Sequence, residues 1–310
     1  MISQNYPQKT REYDNHPLID GPRWDVYNHR PGDIVISTSY KAGTTWMQTI
    51  VANLLYQDGE FPAPVSVMAP WLDMRIMPLE ETAAGLEAQT GRRFLKTHLP
   101  LDGLPFFEGN RYIVVGRDAR DVFMSLWNHH SNYSDDIRAE MEAFEAQTGI
   151  SFPFDFDDIH SFWKIWITRG WYPWESDGFP YWSHLHHINS WWQHRHLPNI
   201  HFVHFADLLN DPASAVRRIA GFLDIKIQDE HFDDILQRIS FNGMKSNFGK
   251  IMPEAKMIWR GGGNTFMNKG TNGRWKDVLS ADDLALYHTA INKALAPDCV
   301  HWLENGGPAL

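Results

Sequence analysis

The chain contains 310 residues, of which 43% are hydrophobic and 14% aromatic, and it carries a formal net charge of −10. This length and apolar content predict a globular protein with a large core, and the lack of repeats or linkers predicts one domain over residues 1–310. The acidic balance argues against nucleic acid or an anionic membrane surface as the main partner. The chain has one cysteine, no apolar stretch near the roughly 18 residues of a membrane span and no charged-then-apolar leader, so we expect a cytoplasmic protein.

Residues 33–46 have the pattern of an anion-binding loop. A short apolar run at the start predicts a buried parallel strand, and a small-residue turn containing Lys41 and Gly43 follows it. A helical pattern then begins at Thr44 and Thr45. The first amide groups of a helix have no intrahelical partner, so a strand, a tight loop and a helix N-terminus together predict a phosphate site.

This loop differs from a Walker loop, which has the order G-x-x-x-x-G-K-[ST]. Here Lys41 precedes Gly43, and the order resembles the 5′-phosphosulfate loop of the cytosolic-type sulfotransferases, usually Tyr-Pro-Lys-Ser/Ala-Gly-Thr-Thr-Trp. The match is close from Lys41 to Trp46 and departs at Tyr40, where the family usually has proline. The resemblance implies an α/β fold of the P-loop-like, three-layer kind, with a central parallel sheet flanked by helices. It also implies transfer of a sulfuryl group from 3′-phosphoadenosine 5′-phosphosulfate (PAPS) to an acceptor.

Residues 93–100 predict a second strand, with polar side chains at the carboxyl end, where ligands bind in open α/β sheets. Lys96 and His98 alternate with Thr97, so we expect them to share one face. The sequence at 96–100 resembles the stretch around the family's catalytic base, which implies that His98 is that base and that Lys41 and Lys96 are the catalytic lysines. From the residues alone, His98 could equally be a structural histidine that is hydrogen-bonded in the core.

Residues 111–117 predict the third strand, and the acidic residues that follow suit the first turn of a helix. Arg117 lies at the carboxyl end of this strand, and Ser125 lies about two turns into the helix. These two positions resemble the family's site for the 3′-phosphate of PAPS. The alternative, from the residues alone, is a surface arginine that caps its own helix.

A fourth strand is predicted at residues 200–205 and a helix from Pro212, with Asp211 as its N-cap. The resemblance implies that Phe205 and Phe241 contact the adenine, with Trp46 stacking on its face.

Residues 266–276 resemble the family's Arg-Lys-Gly-x-x-Gly-Asp-Trp-Lys loop, which closes over the 3′-phosphate. Asn268 replaces the arginine, and Arg274 replaces the aspartate. Losing the arginine removes a bidentate phosphate contact, so either donor affinity is weaker or Arg274 compensates from the far end of the loop. The residues expected to bind PAPS are Lys41, Ala42, Gly43, Thr44, Thr45, Trp46, Arg117, Ser125, Phe205, Phe241, Phe266, Met267, Asn268, Lys269 and Gly270.

Residues 152–192 are rich in aromatic side chains, which can form either core or a pocket for apolar acceptors. With the negative net charge, this favours a small apolar or aromatic alcohol, or an amine, as acceptor. His184 and His187 can share a helix face, but no cysteine or carboxylate completes a ligand set nearby, so we expect a solvated polar face and no metal. The last helix is predicted over about residues 281–296, with Ser280 as its N-cap.

A sulfuryl group carries less negative charge than a terminal phosphoryl group, so lysines can replace the Mg²⁺ that a kinase uses. Two other functions remain open, a P-loop phosphoryl-transfer enzyme and a non-catalytic nucleotide-binding module. The loop order argues against the first, and the combination of Lys41, Lys96 and His98 argues against the second. The identity of the acceptor and the oligomeric state are also open, because the family's short C-terminal dimer motif is largely absent.

Overall fold

The computed structural model describes residues 6–309, and within that range four parallel strands form one sheet in the order β2-β1-β3-β4. The strands are β1 (Ile34–Thr38), β2 (Phe94–Thr97), β3 (Arg111–Gly116) and β4 (Ile200–His204). The four strands predicted from apolar runs are confirmed. The register aligns the carboxyl ends of β1, β2 and β3, so the polar residues that follow them meet at one edge of the sheet.

Alternate residues of the strands face two separate apolar layers. Val35 and Val114 belong to one hydrophobic cluster, whereas Ile36, Ile113 and Val115 belong to the other. A parallel sheet buried on both faces explains why its strands appear in the sequence as continuous apolar runs.

Helices cover both faces of this sheet, which gives the expected three-layer arrangement. The α-helices of the described residues are, in chain order, α1 (Thr44–Leu55), α2 (Val65–Met68), α3 (Leu79–Glu87), α4 (Ala119–His130), α5 (Asp135–Thr148), α6 (Ile159–Thr168), α7 (His184–Trp192), α8 (Phe205–Asn210), α9 (Pro212–Phe222), α10 (Asp229–Ile239), α11 (Phe241–Ser246), α12 (Phe248–Ile251), α13 (Ala255–Ile258), α14 (Gly263–Phe266), α15 (Ala281–Ala294) and α16 (Pro297–Asn305). Short 3₁₀-helices span Gly21–Val26, Leu101–Gly103 and Arg274–Asp277.

The two layers are built from different parts of the chain. Helices α4, α6, α7, α15 and α16 pack on the face that includes Val35, and α1, α2, α9 and α10 pack on the face that includes Ile36. Close approach of α16 requires a glycine in β3, since a Cβ at Gly116 would lie 2.3 Å from the indole ring of Trp302.

The predicted cap of α15 is confirmed, because the Ser280 hydroxyl accepts the Asp283 amide and the Asp283 side chain accepts the Ser280 amide. The prediction that α15 is the last helix is wrong, since α16 follows it. No helix in residues 6–309 is both long enough and apolar enough to cross a membrane.

Candidate active site

The anion-binding loop joins the end of β1 to the start of α1. Gly43 precedes the helix at φ 119°, and Lys41 also has a positive φ of 63°. A side chain at Gly43 would be strained by that φ, and its Cβ would meet the Phe205 ring at 3.0 Å. The Thr44 hydroxyl is tied back to the strand by a 2.5 Å hydrogen bond to the Thr38 hydroxyl. The tight turn thus sets the N-terminus of α1 against the end of the sheet.

One cavity of about 920 Å³ lies beyond the carboxyl ends of the strands. It is bordered by nearly all of the residues that the sequence singled out, from six separate segments of the chain: Lys41, Gly43, Thr44, Thr45, Trp46, Lys96, His98, Arg117, Ser125, Phe205, Phe241, Phe266, Met267, Asn268, Lys269 and Gly270. Ala42 is the exception, since it is fully buried in the core behind the loop. The fold therefore brings the predicted phosphate, adenine and catalytic positions together.

His98 is held in a defined orientation at the end of β2. Its Nδ1 lies 2.8 Å from the Thr38 carbonyl oxygen, so Nδ1 carries the proton and Nε2 is left as the acceptor. The imidazole lies among the rings of Trp71 and Trp182, with centroids at 4.7 and 5.1 Å. Asp73 supports the segment by accepting hydrogen bonds from the indole of Trp71 and the backbone amide of His98.

Burial lowers the pKa of His98 to about 3, with the charges of Lys96 and Lys41 acting in the same direction and the Thr38 carbonyl opposing them. The imidazole is therefore neutral across the physiological pH range. An anion placed beside the two lysines would offset their charge and raise the pKa of His98 again.

Two partly buried lysines, Lys41 and Lys96, lie close enough to this imidazole for their charges to act on it. Burial, together with the charges of Arg117 and Lys96, lowers the pKa of Lys41 to about 7. Burial also lowers the pKa of Lys96 to about 8, although Glu254 and Asp73 act to raise it. Two lysines therefore border one cavity in which the surrounding protein does not supply the negative charge needed to keep both fully protonated. Such an arrangement is typical of a binding site for an anion.

Lys41 is anchored by a hydrogen-bonded cluster that sequence reasoning missed. Its Nζ lies 3.1 Å from His129 Nδ1, and the other side of that imidazole contacts the hydroxyls of Tyr40 and Tyr133. Tyr40, the departure from the family's proline, therefore supports Lys41 indirectly. The signal was available, because His129 follows Ser125 by four residues and so shares its face of α4.

Arg117 leaves β3 and enters the cavity with only 5% of its surface exposed. Its guanidinium donates to the side chain of Asn272 at 3.1 Å and to the carbonyls of Lys41 and Thr271 at 3.3 Å. The guanidinium carbon also lies 4.0 Å from the centroid of the Phe205 ring. Arg117 thus links the phosphate loop to the 266–276 loop, and the idea that it is a surface residue capping its own helix is wrong.

Aromatic rings line the expected adenine end of the cavity. Trp46 and Phe205 meet edge to face at 5.2 Å. Phe241 packs so close to Gly270 that a Cβ there would lie 2.4 Å from the ring. The second contact packs the 266–276 loop on the start of α11. The Phe266 ring, whose centroid lies 3.9 Å from Lys41 Nζ, brings the same loop against the loop at the end of β1.

The expectation of a solvated histidine face on α7 is wrong. His184 and His187 are buried, at 1% and 0% exposure. His184 bonds to the Ser39 hydroxyl and, at 3.0 Å, to the Arg117 carbonyl, while His187 Nε2 lies 2.9 Å from the Ser37 hydroxyl. They pack α7 against the ends of β1 and β3. No cluster of candidate metal ligands is present in the part of the chain described.

A lysine-bearing phosphate loop, a buried arginine and an oriented imidazole in one cavity are the parts of a group-transfer enzyme that binds an anionic nucleotide. The chain belongs to the sulfotransferase family, since residues 31–297 match the family model described as the sulfotransferase domain. It is a PAPS-dependent sulfotransferase, and PAPS is its donor. The resemblance observed in the sequence is thereby confirmed.

Relatives of known name support this membership over nearly the whole chain. A glycolipid sulfotransferase of Mycobacterium bovis (strain BCG / Pasteur 1173P2) is 32% identical over 98% of both chains. Sulfotransferase 1A1 of Rattus norvegicus is 29% identical over 81% of this chain and 80% of its own.

Solved structures share the fold. Retinol dehydratase in complex with androsterone and the inactive cofactor PAP superposes with a TM-score of 0.69 at 23% identity, covering 92% of this chain and 88% of that one. Mouse sulfotransferase SULT7A1 complexed with PAP gives a TM-score of 0.67 at 19% identity, covering 91% and 90%.

Proposed function

We propose that this protein transfers the sulfuryl group of PAPS to the hydroxyl of a small apolar or aromatic acceptor, with His98 as general base. The observation that carries the proposal is the orientation of His98. Its Nδ1 is committed to the Thr38 carbonyl, and both His98 and the lysines Lys41 and Lys96 border the same cavity. A neutral imidazole with a free Nε2 can accept a proton from an acceptor hydroxyl.

The donor end of the cavity has the groups that a doubly phosphorylated nucleotide requires. Lys41 and the amides at the start of α1 would hold the 5′-phosphosulfate. Arg117, Ser125 and Lys269 would hold the 3′-phosphate, and the rings of Trp46, Phe205 and Phe241 would enclose the adenine. The fit is supported by the two lysines whose pKa burial has lowered, because an anion restores their charged state.

His98 takes the proton of the acceptor hydroxyl as the oxygen–sulfur bond forms and the bond between sulfur and the bridging phosphate oxygen breaks. Lys41 and Lys96 stabilise the negative charge that develops on the bridging and sulfuryl oxygens. Two ammonium groups beside a singly charged sulfuryl group supply the role that Mg²⁺ has in phosphoryl transfer.

The acceptor end of the cavity is apolar and aromatic. Phe152, Phe154 and Met141 line it, and the exposed side chains of Val67 and Met257 lie at its rim. Such a surface favours an acceptor whose hydroxyl is carried on an apolar or aromatic body. Because relatives are glycolipid sulfotransferases, a hydroxyl of a sugar-bearing lipid belongs among the acceptors to be tested.

An acceptor panel is expected to show turnover with hydrophobic alcohols, phenols or glycolipids and none with acidic polysaccharides. The reason is that the acceptor end is apolar and the net charge of −10 repels polyanions. The measurement is transfer of labelled sulfate from PAPS to each compound, with simple amines included. Activity on polysaccharides alone would show that the acceptor class is wrong.

Adenosine 3′,5′-bisphosphate (PAP) is expected to bind at least tenfold more tightly than 5′-AMP, because hydrogen bonds from Arg117 to a charged phosphate are worth about 1.5–3 kcal/mol each. Isothermal calorimetry with purified protein measures both ligands, and EDTA in the buffer should leave both affinities unchanged. Equal affinities for the two nucleotides would refute the 3′-phosphate site. A requirement for Mg²⁺, together with stabilisation by ATP, would favour phosphoryl transfer instead.

A further inference from the structure

The 266–276 loop contains an arginine, Arg274, whose side chain has no hydrogen-bond or ion-pair partner among residues 6–309. Arg274 begins the 3₁₀-helix Arg274–Asp277 and borders the same cavity as Arg117, Asn268 and Lys269. Its Nε is buried without a hydrogen-bond partner, and within residues 6–309 its guanidinium forms no ion pair or side-chain hydrogen bond. A half-buried guanidinium without an acceptor is costly unless a ligand supplies one.

Two other arginines of the chain are paired with carboxylates. Arg120, in the first turn of α4, donates to Asp118 at 2.6 Å and lies 3.3 Å from Glu304. Arg93, at the start of β2, is fully buried with Asp33 at 2.5 Å and Glu87 at 2.9 Å. Arg274 has no carboxylate within ion-pair distance among the described residues. Burial lowers the pKa of Arg274, although the charge of Asp121 still acts to raise it.

The backbone next to Arg274 is fixed. The amide of Gly273 donates to both carboxylate oxygens of Asp121, at 2.8 and 3.0 Å, and Gly273 has φ 83°. Asp121 lies in the first turn of α4 and is 2% exposed, so it ties this end of the loop to the helix that carries Ser125. The arrangement places Arg274 near Arg117, and the positive charge of Arg274 acts to lower the pKa of Arg117.

We propose that Arg274 is a donor-binding residue that contacts the 3′-phosphate of PAPS in place of the arginine that Asn268 has replaced. The proposal rests on the proposed function. The guanidinium groups of Arg117 and Arg274 lie close enough for their charges to interact, and Lys269 borders the same cavity. A phosphate dianion between these cations would supply the acceptor that Arg274 lacks. A guanidinium entering from position 274 supplies the fork of donors that position 268 has lost.

The test compares PAP and 5′-AMP binding by calorimetry in four proteins: the natural chain, Arg274→Ala, Lys276→Ala and the double variant Asn268→Arg/Arg274→Ala. Lys276 is the matched control, because it lies on the same short helix, carries the same charge and is exposed. Arg274→Ala is expected to lose about tenfold or more in PAP affinity and to leave 5′-AMP affinity unchanged. Lys276→Ala should bind both nucleotides normally, and Asn268→Arg should restore most of the lost PAP affinity.

The outcomes separate the inference from the function on which it rests. If Arg274→Ala binds PAP as tightly as the natural chain, or loses PAP and 5′-AMP affinity equally, Arg274 does not contact the 3′-phosphate. If the natural chain itself fails to distinguish PAP from 5′-AMP, the proposed function fails. Thermal melting of each variant without ligand, expected to be unchanged, shows that the fold is retained.

Discussion

Replacing His98 with asparagine is expected to lower turnover by about 10²–10⁴-fold, the usual cost of losing a general base. Asparagine keeps a side chain that can donate to the Thr38 carbonyl, so the end of β2 should stay in place. It cannot accept the acceptor proton. PAP affinity should be nearly intact, because His98 lies between the donor and acceptor ends and contributes no charge.

The measurement is single-turnover transfer from PAPS with a good acceptor, together with calorimetry of PAP binding. His186→Asn is the control, since His186 bonds to Asp102 away from the cavity and should leave both quantities unchanged. A natural rate in His98→Asn would make His98 a structural histidine. The base would then be sought at His129, the other imidazole that borders the cavity.

The chemistry of His98 differs from what its residue type alone predicts. A histidine with an ordinary pKa near 6.5 would be half protonated just below neutral pH. Burial lowers the pKa of His98 to about 3 in the free protein, so it stays in its proton-accepting form well below neutrality. The negative charge of a bound donor would offset Lys41 and Lys96 and raise the pKa of His98 again. Donor binding would thereby favour the proposed role of His98 as general base.

The sheet and the phosphate loop could be predicted because their signals are local. The strands are buried on both faces, so each is a short apolar run, and the loop after β1 needs a glycine at φ 119° together with a lysine. The caps of α9 and α15 were also predictable, because Asp211 and Ser280 accept amides of their own first turns.

The segment between α4 and α7 could not be interpreted in the same way. Helix α5 buries only Met141, so it lacks the apolar stripe that predicts a helix. In α6 the aromatic residues that suggested an acceptor pocket, among them Trp163 and Trp166, pack in the core instead. Only Phe152 and Phe154 of that aromatic segment border the cavity. Tertiary packing decides whether an aromatic side chain faces the core or the pocket, and the amino-acid composition does not reveal which.

The same limit applies to charge. Nothing in the sequence distinguishes Arg274, which forms no ion pair within residues 6–309, from Arg120, which is paired with Asp118. His129 likewise follows α4's helical spacing, but its contact with Lys41 depends on the turn after β1. A sequence motif identifies the residues of one segment that contact a ligand. Contacts between different segments can be identified only once the fold is known.

Replacing Lys41 with methionine is expected to reduce turnover by about 10²–10³-fold, the usual cost of losing a donor to charge that develops in the transition state. Methionine keeps much of the side-chain length and packing against the Phe266 ring, which lies 3.9 Å from the ammonium nitrogen. It removes the charge and the hydrogen bond to His129. Turnover is measured at saturating PAPS, so that weaker donor binding does not enter the rate.

The same variant is expected to change how PAP affinity depends on pH. In the free protein the pKa of Lys41 is about 7, lowered by burial and by Arg117 and Lys96. Below that pH Lys41 is charged and ready for the anion. Above it, binding must first take up a proton, so PAP affinity falls as the pH rises.

Calorimetry in two buffers of different ionisation enthalpy measures this proton uptake directly. The natural chain should take up protons on binding PAP near and above pH 7. Lys41→Met should lose the proton uptake near pH 7 and keep the uptake at higher pH that is due to Lys96, whose pKa is about 8. The ring of Tyr40 and the neutral imidazole of His129, which also face Lys41, stay uncharged in this range. Lys276→Met, on the exposed side of the 266–276 loop, should bind PAP with the natural pH dependence. Unchanged proton uptake in Lys41→Met would show that Lys41 is not the group that the donor's charge protonates.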